Sequence, residues 1–278
     1  MTRETVGPVP PAVLAAFGLS GPVTALSGGQ GRSWRAAPAV LKPLDMDPAM
    51  LAWQAGVLSR LDGRSDFRVA PPLPALDGSW VVSGWTAWRH EPGRHRPQRW
   101  RDIVDVGRRL HEALATEPRP AALADRTDIW SVADRVAWGE LPASRFAGTK
   151  HLAELTAALR PVNAPAQLVH GDLTGNVLFD EQLPPLVIDL SPYWRPAGFA
   201  AAVVVADALV FEAAGPEVVD LLGDDPDARQ HLLRALIFRA VTDHLARPDL
   251  RRADDADPYL PAGPRAAVVE VNSLNLSQ

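Results

Sequence analysis

Residues 169–190, VHGDLTGNVLFDEQLPPLVIDL, constrain this chain more than any other stretch. Two short apolar runs, Val177-Leu178-Phe179 and Leu186-Val187-Ile188, flank a polar turn that contains Pro184 and Pro185. Apolar runs of that length around a proline-marked turn predict a β-hairpin. A polar loop, residues 170–175, enters the first strand, and Asp189 leaves the second. The hairpin is therefore expected to bring Asp172, Asn176 and Asp189 to one end of a small sheet. Two carboxylates and a carboxamide make a hard-oxygen site suited to Mg²⁺, which keeps several waters and takes one or two carboxylates plus substrate phosphates. Singly, each residue has a plainer reading: Gly-Asp is ordinary turn chemistry, Asn176 can cap a turn and Asp189 can close a strand. Their convergence on one hairpin carries the functional reading.

The chain has 278 residues, large for one domain and comfortable for two lobes. Hydrophobic residues make up 47% and charged residues 22%, which leaves ample apolar surface for a core. A net charge of −5 offers no basic field to displace counterions and argues against a general nucleic-acid binder. With no cysteine, disulfides, thiolate metal sites and cysteine nucleophiles are excluded. The opening MTRETVGPVPPAVLAAFGL lacks the pattern of a signal peptide, and the apolar run at residues 199–211 is too short to span a bilayer and contains Asp207. The expectation is a soluble, cytoplasmic protein without a membrane partner. Oligomeric state is unreadable. Basic residues are nearly all Arg, with Lys only at Lys42 and Lys150, so a lysine here has some claim to a chemical role.

The N-terminal third reads as a short helix over residues 9–17, a strand at 23–26, the turn Ser27-Gly28-Gly29-Gln30-Gly31, and strands at 33–36 and 39–42. Such a turn lets backbone N–H groups approach phosphate oxygens, and Lys42, at the end of the third strand, adds a mobile positive charge. The plainer reading is a β-meander with a flexible turn. Asp47-Pro48 opens a helix with an N-cap and a proline in its first turn, placing Met50, Trp53, Val57 and Leu61 on one apolar face. Residues 69–76 read as a proline-rich connection, and Trp80-Val81-Val82 and Trp85-Thr86-Ala87-Trp88 as strands around Gly84. Proline, glycine and charge at residues 89–93 mark the lobe boundary, dividing the chain into 1–91 and 92–278.

Beyond the boundary the pattern turns helical. Ile103, Val106, Leu110 and Leu114 share a face, and His111 beside them reads as a hydrogen-bonded packing residue. Helices are expected over residues 128–138, 149–160, 200–214, and from Asp225-Pro226 onward. Acids cluster at Asp224, Asp225 and Asp227, and again at Asp254, Asp255 and Asp257. They could meet a cationic substrate or simply be solvated turns, and the solvated reading is the stronger. Tyr193 and Trp194 are candidates for lining an acceptor pocket or for the core.

In order along the chain, a small sheet with a glycine turn and a lysine-bearing strand is followed by one helix, a hinge with Pro92-Gly93, and a helical lobe holding HGDLTGN and VIDL. This resembles the aminoglycoside phosphotransferase and choline-kinase-like small-molecule kinases, from about residue 23 to 246. The resemblance implies an α+β class and a bilobal protein-kinase-like fold, with a small antiparallel-sheet N-lobe and a mainly helical C-lobe. It implies an Mg²⁺-dependent phosphotransferase that moves the γ-phosphate of ATP (or GTP) to a hydroxyl of a small molecule. By position, Asp172 matches the catalytic Asp, Asn176 and Asp189 the metal ligands, and Lys42 the lysine on the α/β-phosphates. Gly28, Gly29, Gln30 and Gly31 match the loop over the phosphates, and backbone groups of Trp88, Arg89 and His90 the adenine-binding hinge. His170 and Asp207 match bracing positions.

Two features depart from the family pattern. Only Leu173, Thr174 and Gly175 separate Asp172 from Asn176, one residue fewer than usual, an arrangement similar to that of an actinobacterial branch of the family. No acid lies between Asp47 and Asp62 to pair with Lys42, and Gln54 and Gly56 occupy the middle of that helix. These departures motivate an alternative, a catalytically impaired kinase-fold protein acting as nucleotide sensor or scaffold. A metal-dependent hydrolase is the weakest reading, since His170 lacks a second His at ligand spacing.

Overall fold

The computed structural model describes residues 9–26 and 32–246. The turn containing Gly28, Gly29, Gln30 and Gly31, and the acidic cluster at Asp254, Asp255 and Asp257, lie outside the described residues. Those described within Met1–Arg94 and Leu178–Ile188 form one compact unit, and those within His95–Val177 and Asp189–Gln278 a second.

In the first unit, helix α1 (Pro11–Ala16) starts on a proline, whose fixed φ suits a first turn. Strands β1 (Thr24–Ala25), β2 (Trp34–Ala36), β3 (Ala39–Pro43), β5 (Pro72–Leu73) and β6 (Trp85–Arg89) make a five-stranded antiparallel sheet in the order β1-β2-β3-β6-β5. Along β3, Ala39 and Leu41 are buried while Val40 and Lys42 are less so, the alternation of a sheet with one covered face. The covered face meets Val13 and Phe17 of the α1 region, with Trp34 and Trp85 edge-to-face at 5.2 Å. Helix α2 (Pro48–Leu61) is capped as its sequence requires: the Asp47 carboxylate accepts from the Ala49 N–H at 2.7 Å. Met50, Val57 and Leu61 are buried, whereas Trp53 is only partly covered.

Two strand expectations change. The proline-rich stretch at 69–76 contributes β5, because Pro72 sits on the sheet edge where a missing N–H costs no ladder bond. Residues 80–82 reduce to a single bridge, Val82 to Trp85, across Ser83 and Gly84, both at positive φ as in a tight hairpin turn. Upstream, Asp77 accepts from both the backbone N–H and hydroxyl of Ser79, pulling the chain into a turn.

The expected hairpin is present. β8 (Val177–Leu178) lies beside β9 (Leu186–Val187), and β9 pairs in parallel with β4 (Arg68–Val69). Arg68 fastens this sheet: its backbone N–H donates to the Pro185 carbonyl at 2.8 Å, and its guanidinium to the carbonyls of Pro184 and Pro92 and to Glu91.

In the second unit, α3 (Trp100–Leu114) buries Ile103, Val106, Leu110 and Leu114 as its spacing predicts. Helix α4 (Ile129–Ala137) is capped by Asp128, which accepts from the Ser131 N–H. Helix α5 (Leu152–Ala157) is shorter than the expected 149–160. β7 (Gln167–His170) pairs antiparallel with β10 (Pro192–Arg195). Helix α6 (Ala197–Phe211) is apolar nearly all round and correspondingly buried. Helix α7 (Ala228–Ala246) packs on it, burying Leu232, Leu236, Ile237 and Phe238. No helix of the described residues is long and apolar enough to cross a membrane.

Candidate active site

β7 ends on His170, so the HGD loop begins where the strand can no longer pair. His170 is fully buried. Its Nδ1 accepts from the backbone N–H groups of Asp172 (3.3 Å) and Ser191 (3.4 Å), which places its ring proton on Nε2. The Gly171 N–H donates to the Ser191 carbonyl at 3.0 Å. One imidazole thus ties the loop carrying Asp172 to the segment that follows Asp189. The backbone N–H of His170 donates to Nε2 of His111 at 3.1 Å. Burial, and next the neighbouring His170, drive His111 down to about 3, so it stays neutral.

Gly171 has no room for a side chain: a Cβ there would lie 2.4 Å from the Tyr193 ring. Tyr193 is only 5% exposed and packs edge-on against Phe238, with Arg126 at 5.1 Å from its ring. It is a core residue beneath the loop, not the lining of an acceptor pocket. Asp225 and Asp227 are likewise engaged: Asp225 pairs with His231 at 2.9 Å, and Asp227 accepts from the Asn163 and Ala164 N–H groups.

The short loop closes through Gly175 at φ +81°, and the Asn176 N–H donates to the Leu173 carbonyl at 3.0 Å. The Asn176 side-chain Nδ2 donates to the Asp172 carbonyl at 2.7 Å and lies 3.4 Å from Asp172 Oδ2. With its nitrogen committed, the Asn176 amide presents its oxygen as the remaining donor atom. Asp189 is exposed and held at φ +49°, a conformation uncommon for a residue other than glycine. An amide oxygen and a carboxylate are the donor chemistry that Mg²⁺ prefers. Among the described residues no group of three or more His, Cys, Asp or Glu side chains could hold a metal ion.

Asp172 is held by a residue the sequence reading missed. Arg239 of α7 donates from Nη2 to Asp172 Oδ1 at 2.7 Å, and from Nε and Nη2 to the two oxygens of Asp207, both at 2.6 Å. Asp207, on α6, is buried. Burial works against the Arg239 charge, but Asp207 and Asp172 outweigh it and hold its pKa above the ordinary value. Burial pushes the Asp207 carboxyl up, against the pull of Arg239. The signal was in the sequence: a single charge within an apolar stretch, Asp207 in VVVADALV and Arg239 in LIFRAV, requires a partner.

In the first unit, Lys42 pairs with Thr86 across β3 and β6, and its Nζ lies 4.7 Å from the centre of the Trp88 ring. Thr86 Oγ1 donates to the Lys42 carbonyl and accepts from Trp88 Nε1, which fixes the platform on which that lysine stands. The backbone N–H of Arg89 donates to the Pro71 carbonyl and that of His90 to the Pro38 carbonyl, each at 2.9 Å. The Arg89 side chain is bidentate to Asp62 and reaches Glu91 at 2.7 Å. Its interaction with Asp62 lowers that carboxyl below the usual range.

Residues 33–193 match the phosphotransferase enzyme family. No curated protein sequence is significantly similar to the chain. Among solved structures, the chain is similar to an aminoglycoside phosphotransferase from Alicyclobacillus acidocaldarius, with a TM-score of 0.61 and 13% identity, over 98% of this chain and 96% of that one. It is similar to the choline kinase LicA from Streptococcus pneumoniae, with a TM-score of 0.62 and 11% identity, over 94% and 97%. Spectinomycin phosphotransferase APH(9)-Ia, solved with ADP and spectinomycin, gives a TM-score of 0.57 and 13% identity over 94% and 91%. At these identities the likeness shows the fold, the protein-kinase-like α+β architecture, and not the substrate.

Proposed function

Since this chain belongs to the phosphotransferase enzyme family, we propose that it moves the γ-phosphoryl group of ATP (or GTP) to a hydroxyl of a small molecule. The observation that carries this reading is the carboxylate of Asp172, held by Arg239 and set in a loop that His170 fastens to the segment after Asp189. In the proposed step Asp172 orients the acceptor hydroxyl and takes its proton. The acceptor oxygen forms a bond to the γ-phosphorus, the bond from that phosphorus to the β–γ bridging oxygen breaks, and the nucleoside diphosphate leaves. Such a transfer needs alignment and charge stabilisation more than covalent help. Asn176 and Asp189 would hold Mg²⁺, which when bound offsets negative charge on the phosphate oxygens. Lys42 would meet the nucleotide phosphates, with Gly28, Gly29, Gln30 and Gly31 over them. The Trp88, Arg89 and His90 backbone would face the base chiefly through groups other than the Arg89 and His90 N–H, since those are engaged. We place this activity in the cytoplasm and assign no nucleic-acid partner.

The acceptor classes to be tested are those named for the similar structures, aminoglycoside and choline, and other small alcohols. Asp225 and Asp227 already serve the fold and are not counted toward binding a cationic acceptor.

The test is a thermal-shift titration with ATP and GTP, with and without Mg²⁺, followed by ADP formation across aminoglycoside, choline and nucleoside acceptors. Asp172→Asn is expected to keep nucleotide binding and lose on the order of 10²-fold or more in turnover. Absence of any shift at millimolar nucleotide would sink the proposal. A second reading, a nucleotide sensor without turnover, draws on α2, which carries no acid to pair with Lys42 and buries Gln54 near its middle. Binding indifferent to Mg²⁺, with no ADP formed from any acceptor, would favour it.

A further inference from the structure

Asp207 sits inside the otherwise apolar α6, and Arg239 inside the apolar stretch LIFRAV of α7, and burial alone explains why they pair. A lone carboxylate in α6 or a lone guanidinium in α7 would be costly, and the bidentate contact, at 2.6 Å on both arms, meets that need in full. Burial does not explain the third bond. Once Nε and Nη2 are both on Asp207, the guanidinium plane is fixed and the second Nη2 hydrogen has a set direction. It ends on Asp172 Oδ1 at 2.7 Å. Asp172 keeps 39% of its side chain exposed against 5% for Asp207, so burial presses it toward a partner far less. What the bond does is stop the carboxylate turning about its Cβ–Cγ axis. Asn176 reinforces this from the other side: its short bond goes to the Asp172 carbonyl, leaving Oδ2 with only a 3.4 Å approach.

We propose that Arg239 is a positioning residue of the transfer site: anchored by Asp207, it occupies Oδ1 of Asp172 so that Oδ2 is the oxygen that meets the acceptor hydroxyl. This rests on the phosphotransferase reading given above. Lysine could not substitute, because a single ammonium lacks the planar fork that addresses Asp207 with two nitrogens and Asp172 with a remaining hydrogen.

The test uses the full chain, with Mg²⁺·ATP as substrate and water as phosphoryl acceptor, so that no acceptor need be known. Arg239→Gln alone strands the buried Asp207 charge and is expected to lower the melting temperature. The double variant Arg239→Gln/Asp207→Asn makes the buried pair neutral and is expected to recover most of that loss. Its kcat for ATP hydrolysis nevertheless stays down on the order of 10²-fold, the cost of a misplaced reacting group, with KM for ATP unchanged. Arg239→Lys is expected not to rescue kcat. A double variant with both wild-type melting and wild-type kcat overturns the role, since the pair would then serve the fold alone. Should the double variant fail to fold, a wild-type crystal structure with Mg²⁺ and a non-hydrolysable ATP analogue decides. Arg239 on Asp172 Oδ1 upholds the proposal, and Arg239 withdrawn from it overturns it. A wild-type chain that hydrolyses no ATP and shows no nucleotide-induced shift overturns the phosphotransferase reading itself, and the role falls with it.

Discussion

His111 accepts a hydrogen bond through Nε2 from the backbone of His170, and an imidazole that accepts there must be neutral. Its pKa is about 3 when folded, against an ordinary value of 6.5, with burial the chief cause. Between those values the unfolded chain binds a proton that the folded chain does not. Stability is therefore complete above about pH 6.5 and falls as pH drops toward 3, by up to about 1.4 kcal/mol per pH unit. His111→Gln keeps an acceptor for the His170 N–H and removes the titration. Urea unfolding from pH 7 to 4.5 should show a flatter acid limb for this variant, and an unchanged limb would refute the assignment. The bracing character of His170 and Asp207 was implied by the family resemblance, through the positions they match. Arg239 could not be assigned to Asp172, because 67 residues separate them and only the packing of α7 on α6 closes that distance.

At the scale of the element, the caps carry the clearest energies. Asp47→Ala removes the acceptor for the Ala49 N–H and should cost about 1 kcal/mol, read as a lower urea midpoint with unchanged m-value. In the short loop, Gly175→Ala meets open space but forces a Cβ onto φ +81°, so a loss of roughly 1–2 kcal/mol is expected from strain alone. Helices and the central hairpin were legible because each announces itself locally: Asp47-Pro48 opens α2, and the periodicity of Ile103, Val106, Leu110 and Leu114 draws α3. β5 was not, because prolines at 71, 72 and 74 read as a connection unless the strand is known to lie on an edge. Residues 80–82 erred in the other direction. Their β-branched and aromatic content suits a strand, but the Asp77 turn and the tight reversal at Ser83-Gly84 leave them only one bridge.

For the whole molecule, nucleotide binding should raise stability by mass action. ATP at 100 times its Kd adds about 2.7 kcal/mol, which for a chain of this size is about 5–10 °C in Tm. A scan with Mg²⁺·ATP that moves Tm by less than a degree at saturation would contradict the expected site. The sheet that joins β4 to β9 has a consequence for how the chain is made. Arg68 and Val69 find their partners only at Leu186 and Val187, so the N-terminal unit is not contiguous in the sequence. A ribosome must deliver just over two-thirds of the message before that unit can finish its edge, and until then the β4 backbone waits without its ladder. Expression of residues 1–94 as a fragment therefore yields an unfinished body, which a synthetic peptide spanning 176–190 should complete.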